Sequence, residues 1–177
     1  MYRYIYWYKF RKPSQQYKPV ILVTGCSSGI GFALAKLLQE RTEYRVAITA
    51  RAKSVATLQN EFQEDDRFLI LPLDVTNETE RSQVVQKIHE RWGSLDILVN
   101  NAGICYRSVL EEMLDKDEHV QMETNYFGPI SLIRHALPKM RQKGRGKIIN
   151  ISSMSGILAM PTMASYSASK YALEGAT

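Results

Sequence analysis

The chain has 177 residues, of which 45% are hydrophobic and 23% charged, so its composition is that of a globular protein with one substantial core. The formal net charge of +5 comes from residues 1–19, which hold five Lys or Arg and no acid, because the remaining 18 basic residues balance the 18 acidic ones. A neutral domain argues against nucleic-acid binding, which needs Lys and Arg gathered on one face.

Residues 1–19 differ from the rest of the chain, because they interleave Tyr, Trp and Phe with Lys and Arg. They contain neither the apolar run nor the cleavage site of a secretory signal, and no segment of the chain approaches the roughly 20 apolar residues of a membrane span. Aromatic and basic side chains favour weak contact with a membrane surface, although a disordered tail or an upstream start suits this composition better. We therefore predict a flexible extension over 1–19, a single domain over 20–177 and a cytoplasmic protein.

The cysteines and histidines indicate neither a disulfide nor a metal site. Cys26 and Cys105 are too few and too far apart for a disulfide framework or a Cys-x-x-Cys redox site, so we expect reduced thiols. The histidines His89, His119 and His135 lie in helical patterns without the spacing of metal ligands, and no metal is predicted.

From Pro19 onward, short β-branched runs alternate with longer amphipathic segments, which predicts a parallel sheet with covering helices. The runs are mostly apolar throughout, as strands buried on both faces are. The predicted fold class is therefore α/β, a doubly wound parallel sheet with helices on both faces, the Rossmann fold. The predicted strands cover residues 20–24, 44–50, 67–73, 95–100 and 147–152.

The segments between these strands have the period of amphipathic helices. Residues 31–41 form the first, and residues 79–92 form another behind Asn77, a plausible N-cap with Glu80 three residues later. Residues 117–143 predict a long helix with an interruption at Gly128 and Pro129, and a further helix begins near Ala164.

Three glycines lie between the first strand and the first helix, where a nucleotide phosphate meets free backbone N–H groups and the positive end of a helix dipole. Gly25, Gly29 and Gly31 have the spacing G-x-x-x-G-x-G, which differs from the common dinucleotide pattern G-x-G-x-x-G. A P-loop is excluded, because Phe32 and Ala33 follow the last glycine. The alternative is that these glycines only form a tight turn.

The end of the second strand favours NADP over NAD. An acidic residue about 20 positions after the glycines holds the ribose hydroxyls of NAD, whereas an arginine accommodates the extra phosphate of NADP. Here Ala50 lacks a carboxylate and Arg51 supplies a guanidinium. Because an exposed arginine is often only a solvated charge, the preference for NADP depends chiefly on the missing acid.

Six motifs in order resemble the short-chain dehydrogenase/reductase family, and the resemblance covers residues 19–177. Their wording is most similar to branches that act on steroid or retinoid alcohols. The motifs are TGCSSGIG (24–31), LDVT (73–76), NNAG (100–103), TNYFG (124–128), NISSMSG (150–156) and YSASK (166–170).

This resemblance implies which residues contact the cofactor. The glycine loop with Ile30 would hold the phosphates and face the nicotinamide, the LDVT segment would contact the adenine, and the NNAG segment would lie on the ribose side. Taken singly, each segment has a structural alternative, such as a turn or the stabilisation of a strand end. The cofactor residues implied are Gly25, Ser27, Ser28, Gly29, Ile30, Gly31, Arg51, Asp74, Val75, Asn101, Ala102, Gly103, Tyr166 and Lys170.

Tyr166 and Lys170 are four residues apart, so on a helix they share one face. A phenol is a poor base at neutral pH, and a nearby ammonium favours its ionised form. In oxidation Tyr166 would accept the alcohol proton, and in reduction it would donate one. The resemblance adds Ser153 as a hydrogen-bond donor to the reacting oxygen and Asn125 as the holder of a water that links the lysine to solvent. Ser152 and Ser155 are the rival serines for this role, and the family pattern selects Ser153 instead of them.

Complete members of this family continue into two further strands and a substrate loop, so this chain resembles a member truncated after the fifth strand and the start of the following helix. We expect an NADP-dependent oxidoreductase for a small alcohol or carbonyl substrate, of lipophilic kind, and a homo-oligomer for a full-length form. The alternative is a non-catalytic nucleotide-binding or interaction protein derived from such an enzyme.

Overall fold

All five predicted strands form one sheet, and they are β1 (Val20–Val23), β2 (Arg45–Ala50), β3 (Phe68–Pro72), β4 (Ile97–Asn100) and β5 (Lys147–Asn150). The computed structural model describes residues 17–177. Every strand pairing is parallel, and the strand order is β3-β2-β1-β4-β5. This order confirms the predicted doubly wound α/β fold, because the direction of strand addition reverses between β1 and β4.

Each predicted helix is present within residues 17–177, with ends shifted by a few residues. One helix, α2, was not predicted, because its apolar signal is short: Val55 and Leu58 are the two of its ten residues that join the core. The predicted interruption near Gly128 is a π-helical turn, Glu123–Phe127, between two α-helices. The α-helices are α1 (Gly29–Glu40), α2 (Ala52–Glu61), α3 (Glu78–Trp92), α4 (Asp115–Met122), α5 (Gly128–Lys143) and α6 (Ala164–Gly175).

Apolar side chains are buried on both faces of the sheet. On one face Ile88 of α3 and Leu132 of α5 join a cluster with Leu98 of β4. On the other face Ala35 of α1 and Leu58 of α2 join the second cluster. Burial on both faces explains why the strands are apolar throughout rather than alternating. The two layers of helices leave the carboxyl ends of the strands as the accessible edge.

Helix α3 begins and ends as its sequence predicts. The Asn77 side chain accepts a hydrogen bond from the backbone N–H of Glu80 at 3.2 Å, which confirms the N-cap. The helix ends at Gly93, whose φ of 74° lies in the left-handed region that favours glycine. These two signals fix the length of the helix that follows β3.

An ionic cluster joins α3 to α5. The Glu78 carboxylate accepts hydrogen bonds from Arg81, from Ser131 at 2.9 Å and from His135 at 2.9 Å, and these partners, Arg81 first, lower the pKa of Glu78 to about 2. Arg81 also donates to the Val75 carbonyl at 2.5 Å. The cluster therefore supports the segment after β3 from behind.

Residues 1–16 of the predicted extension lie outside the described residues. Its described end contacts the domain, because the Tyr17 ring lies 3.9 Å from the Arg145 guanidinium carbon. Within residues 17–177, every helix is too short or too polar to cross a membrane. Membrane-surface contact through residues 1–19 and a cytoplasmic location stay predictions.

Candidate functional site

A cavity of about 520 Å³ opens at the carboxyl ends of the strands, where β1 and β4 lie side by side. Doubly wound folds bind their ligands at this point, because the loops after the two strands diverge and leave a crevice. Loops after all five strands, together with α6, contribute to the lining. The predicted site residues that line it are Gly25, Ser27, Ser28, Gly29, Ile30, Arg51, Asp74, Val75, Asn101, Ala102, Gly103, Tyr166 and Lys170.

Two of the predicted glycines leave no room for a side chain. A Cβ at Gly25 would lie 2.6 Å from the Cα of Ala102, and Gly25 also has a φ of 70°. A Cβ at Gly31 would lie 2.5 Å from the Gly25 carbonyl oxygen. Gly31 itself lies outside the cavity lining, so it acts by letting α1 pack closely against the loop.

Hydrogen bonds fasten the glycine loop to the loop after β4. The Thr24 hydroxyl oxygen accepts from the backbone N–H groups of Asn101 and Ala102, both at 3.0 Å. The Asn101 side-chain amide donates to the Thr24 carbonyl at 2.8 Å and to the Gly25 carbonyl at 3.0 Å. Asn101 therefore has the strand-end role that the sequence left open, and it also lines the cavity.

The N-terminus of α1 presents free donors to the cavity. Ser28 is the N-cap residue, but its side chain accepts no hydrogen bond from the helix, and the first turn contains no acidic residue. Ile30 in this turn is 64% exposed. Unpaired N–H groups and the positive end of the helix dipole make such a terminus suitable for an anion such as phosphate.

The segments after β2 and β3 form the other end of the cavity. Arg51 is exposed and lies at the N-cap of α2, whereas Ala50 is 2% exposed and has no polar side chain. The Asp74 carboxylate accepts from the Thr76 backbone N–H at 3.0 Å and from its hydroxyl at 2.8 Å. Asp74 therefore stabilises the turn in which it lies, and Arg81 supports Val75 through a hydrogen bond to its carbonyl.

Tyr166 and Lys170 lie on one face of α6, as predicted, with the Lys170 ammonium 5.8 Å from the centre of the Tyr166 ring. Lys170 is 5% exposed and donates to the Ile151 carbonyl at 2.9 Å. Burial lowers the pKa of the Lys170 ammonium, and the nearby Cys105 thiol opposes that shift. A poorly hydrated cation is thus held next to the phenol.

Asn125 lies behind the cavity wall rather than on it. It is fully buried in the π-helical turn, and its Oδ1 accepts from the Ile104 backbone N–H at 2.9 Å. Its Nδ2 donates to the Ile104 carbonyl at 2.8 Å and to the Ser169 hydroxyl at 3.0 Å. The structure thus shows Asn125 joining the loop after β4 to α6, and its water-holding role stays a prediction.

Of the two adjacent serines after β5, the one that lines the cavity is not the one that the sequence predicted. The Ser153 hydroxyl oxygen accepts from the Ser155 backbone N–H at 3.1 Å and lies outside the cavity lining. Ser152 lines the cavity, and its hydroxyl oxygen is buried without a hydrogen-bond partner among the described residues. Both hydroxyls keep a free proton, so the role predicted for Ser153 stays a prediction.

The sequence matches the family model of the short chain dehydrogenases over residues 19–177. The glycine loop and the order of the loops around the cavity agree with this match. The chain belongs to the short-chain dehydrogenase family. It is 39% identical over 156 residues to 3-ketodihydrosphingosine reductase of Bacteroides thetaiotaomicron, a match that covers 88% of this chain and 55% of that protein. The chain therefore spans about half the length of this relative.

Solved structures of the short-chain dehydrogenase family have the same fold. ElxO, solved with NADP bound, superposes with a TM-score of 0.83 at 32% identity over 91% of this chain and 66% of that one. A gluconate 5-dehydrogenase from Burkholderia cenocepacia, in complex with NADP and tartrate, superposes with a TM-score of 0.78 at 32% identity, covering 90% of this chain and 63% of that one.

Sequence reasoning missed several residues of this short-chain dehydrogenase site. Thr24 stands inside a motif, but its bracing role depends on the adjacent β4 loop, which is far away in sequence. Gln121 is fully buried, although a polar residue in a helical pattern is usually exposed. Thr24 falls in a predicted buried strand, whereas no sequence signal separates Gln121 from solvent-facing residues. Neither residue lines the cavity. The cavity-lining residues that were not predicted as site residues are Ala50, Leu73, Thr76, Ile104, Cys105, Tyr106, Val120, Thr124, Ile151 and Ser152.

Replacing Lys170 with Met is expected to raise the free energy of unfolding at neutral pH, because it removes a buried charge. An ammonium with a lowered pKa binds its proton more weakly in the folded chain, so the wild type gains stability as the pH rises toward 10.5. The advantage of Lys170→Met should therefore shrink with rising pH in urea unfolding. The exposed Lys53→Met is the control with a pH-independent difference, and a Lys170→Met protein less stable at neutral pH would contradict the prediction.

Proposed function

We propose that this chain carries the cofactor-binding and proton-transfer part of an oxidoreductase that moves a hydride between NADP(H) and an alcohol or carbonyl substrate. The observation that carries the proposal is a single cavity lined by the glycine loop, Arg51 and the pair Tyr166 and Lys170. Family membership and two relatives solved with NADP support it. Because the chain spans 55% of the Bacteroides reductase, the activity of the whole protein belongs to the proposal.

The residues present fit a dinucleotide. Gly29 lines the cavity, and a Cβ there would meet nothing within 4 Å, so the main chain of the glycine loop is open to a ligand at this position. The N-terminus of α1 offers unpaired N–H groups for phosphate oxygens. Asp74 and Val75 would flank the adenine, and Gly103, next to the Lys170 ammonium, would lie on the ribose side.

The nicotinamide of a bound NADP(H) supplies or accepts the hydride, so the protein has to orient a carbonyl or alcohol and move one proton. Tyr166 holds that proton on its phenol oxygen and gives it to the carbonyl oxygen during reduction. Lys170 stabilises the phenolate that remains, because its ammonium lies on the same helix face in a site with little water. Ser153 keeps its hydroxyl proton free for the reacting oxygen, since the Ser155 N–H occupies only its acceptor side.

The substrate class that the surface favours is lipophilic. The loops after β4 and β5 are joined by a hydrogen bond of 3.0 Å from the Ser108 backbone N–H to the Thr162 carbonyl. Both loops expose apolar side chains, which include Leu110 at 68% and Ile157 at 67% exposure. Tyr106, in the same stretch as Ser108, lines the cavity, so these loops offer an apolar surface next to its mouth.

Arg51→Ala is expected to weaken NADPH binding by about 10- to 100-fold and to leave NADH binding within twofold, because a charge-assisted bond to the extra phosphate is lost. The measurement is a fluorescence titration of the 177-residue chain with each nucleotide. Lys53→Ala is the matched control, since it removes the same charge two residues away outside the cavity lining. Tighter binding of NADH than of NADPH by the wild type would contradict the NADP proposal.

A further inference from the structure

A fully buried glutamine lies close to the proton-transfer pair without lining the cavity. Gln121 is the one buried residue of α4, at 0% exposure. Its Oε1 accepts from the Tyr106 backbone N–H at 2.6 Å, and its Nε2 donates to the Ser165 hydroxyl oxygen at 3.0 Å. An amide of this kind left without partners costs about 1–3 kcal/mol, so both bonds constrain the groups around it.

Gln121 repeats the connection that Asn125 makes one helical turn later. Asn125 joins Ile104 to Ser169, while Gln121 joins Tyr106 to Ser165. The two amides are four residues apart, and the two serines are also four residues apart, so they pair as two parallel bridges between the loop after β4 and α6. The two serines precede Tyr166 and Lys170 directly in the chain.

The Gln121 bridge holds the first turn of α6, which has no side-chain cap. Tyr166 lies in the first turn of this helix, and the N-cap residue Met163 provides no side-chain cap. The first turn of a helix lacks the full set of intrahelical hydrogen bonds and frays readily. A bond from a rigid neighbour to Ser165 therefore limits how far the backbone of Tyr166 can move.

We propose that Gln121 is a positioning residue, which fixes the place of the Tyr166 phenol by bonding Ser165 and the Tyr106 backbone at once. This inference rests on the proposed function, because the phenol has to meet the reacting oxygen. Gln121 acts through Ser165 and touches neither cofactor nor substrate, since it lies outside the cavity lining. Loss of the bridge should therefore affect the proton-transfer step and spare nucleotide binding.

The test compares Gln121→Met with the wild type, because Met has a similar length and forms no comparable hydrogen bonds. With NADPH and the carbonyl probes acetone, acetophenone and decanal, kcat should fall about 10- to 100-fold, as misplaced catalytic groups produce. The Kd for NADPH should stay within twofold. Hydrogen exchange of the Tyr106 amide and of the first turn of α6 should become faster.

Ser94→Ala is the matched control, because it removes a buried bond to Asp96 just before β4, at the amino ends of the strands and away from the cavity. It should lower the thermal midpoint and leave kcat and the exchange of α6 unchanged. Ser165→Ala tests whether Gln121 acts through Ser165. If it does, the variant that combines Gln121→Met with Ser165→Ala should have a kcat within twofold of that of Gln121→Met alone.

Three outcomes would overturn the positioning role. The first is a kcat of Gln121→Met within twofold of wild type. The second is a loss of NADPH affinity as large as the loss of kcat. The third is a combined variant whose loss of kcat equals the product of the losses in Gln121→Met and Ser165→Ala. If the wild type transfers no hydride to any probe, that result counts against the proposed function, and the exchange data still decide the bridge. Unchanged exchange in Gln121→Met then overturns the positioning role, and faster exchange supports it.

Discussion

Tyr166→Phe is expected to lower kcat for NADPH-dependent reduction of carbonyl probes by about 10²–10⁴-fold, because it removes the proton donor and leaves the ring in place. The Kd for NADPH should stay within twofold, since the phenyl ring still occupies its position in the cavity lining. Stopped-flow or steady-state loss of NADPH absorbance measures the first quantity, and fluorescence titration measures the second.

Tyr171→Phe is the matched control for that change. It removes the same hydroxyl from the same helix, but Tyr171 is 46% exposed and its hydroxyl donates to the Ile157 carbonyl. Turnover by Tyr171→Phe should stay close to wild type. Full turnover by Tyr166→Phe would remove the phenol from the mechanism. NADPH binding without any turnover by the wild type would favour the alternative of a non-catalytic nucleotide-binding protein.

Gly25→Ala is expected to lower the free energy of unfolding by about 2–5 kcal/mol, from left-handed backbone strain together with overpacking. The added Cβ would lie 2.6 Å from the Ala102 Cα, and backbone cannot move aside as a flexible side chain can. NADPH binding should be lost as well, because the loop has to shift from the N-terminus of α1. Urea unfolding and nucleotide titration measure the two effects.

Gly29→Ala separates these two contributions. Gly29 has a similar φ of 61°, but no atom lies within 4 Å of the position of its Cβ. It should therefore cost only the backbone strain, about 1–2 kcal/mol. Equal stability losses in the two variants would show that the contact with Ala102 contributes nothing, and the close approach of the two loops would lose its support.

The strands and most helices could be predicted because their signals are local. Residues 97–99 are apolar in a row, and Asn77 with Glu80 marks a helix start, so each segment specifies its own conformation. Helix α2 has a shorter signal of the same kind and was missed: Val55 and Leu58 stand at helical spacing, and both pack in the second core cluster.

The cavity residues were predictable to a different degree. Thirteen of the predicted residues line the cavity. Most of them belong to a loop at the carboxyl end of a strand or to the first turn of the following helix, whereas Tyr166 and Lys170 lie on α6. The predicted residues that do not line it are Gly31, Asn125 and Ser153, which pack or bond behind the wall or beside it.

The sequence by itself determined the succession of strands and helices along the chain, the glycine turn and the spacing that puts Tyr166 and Lys170 on one helix face. These features depend on neighbours within a few residues, where backbone preference and side-chain period act directly. Only the tertiary structure decided which buried polar groups meet, such as Thr24 with Asn101 and Gln121 with Ser165. Such pairs join residues 77 and 44 positions apart, so their partners exist only after the sheet has assembled and water has left.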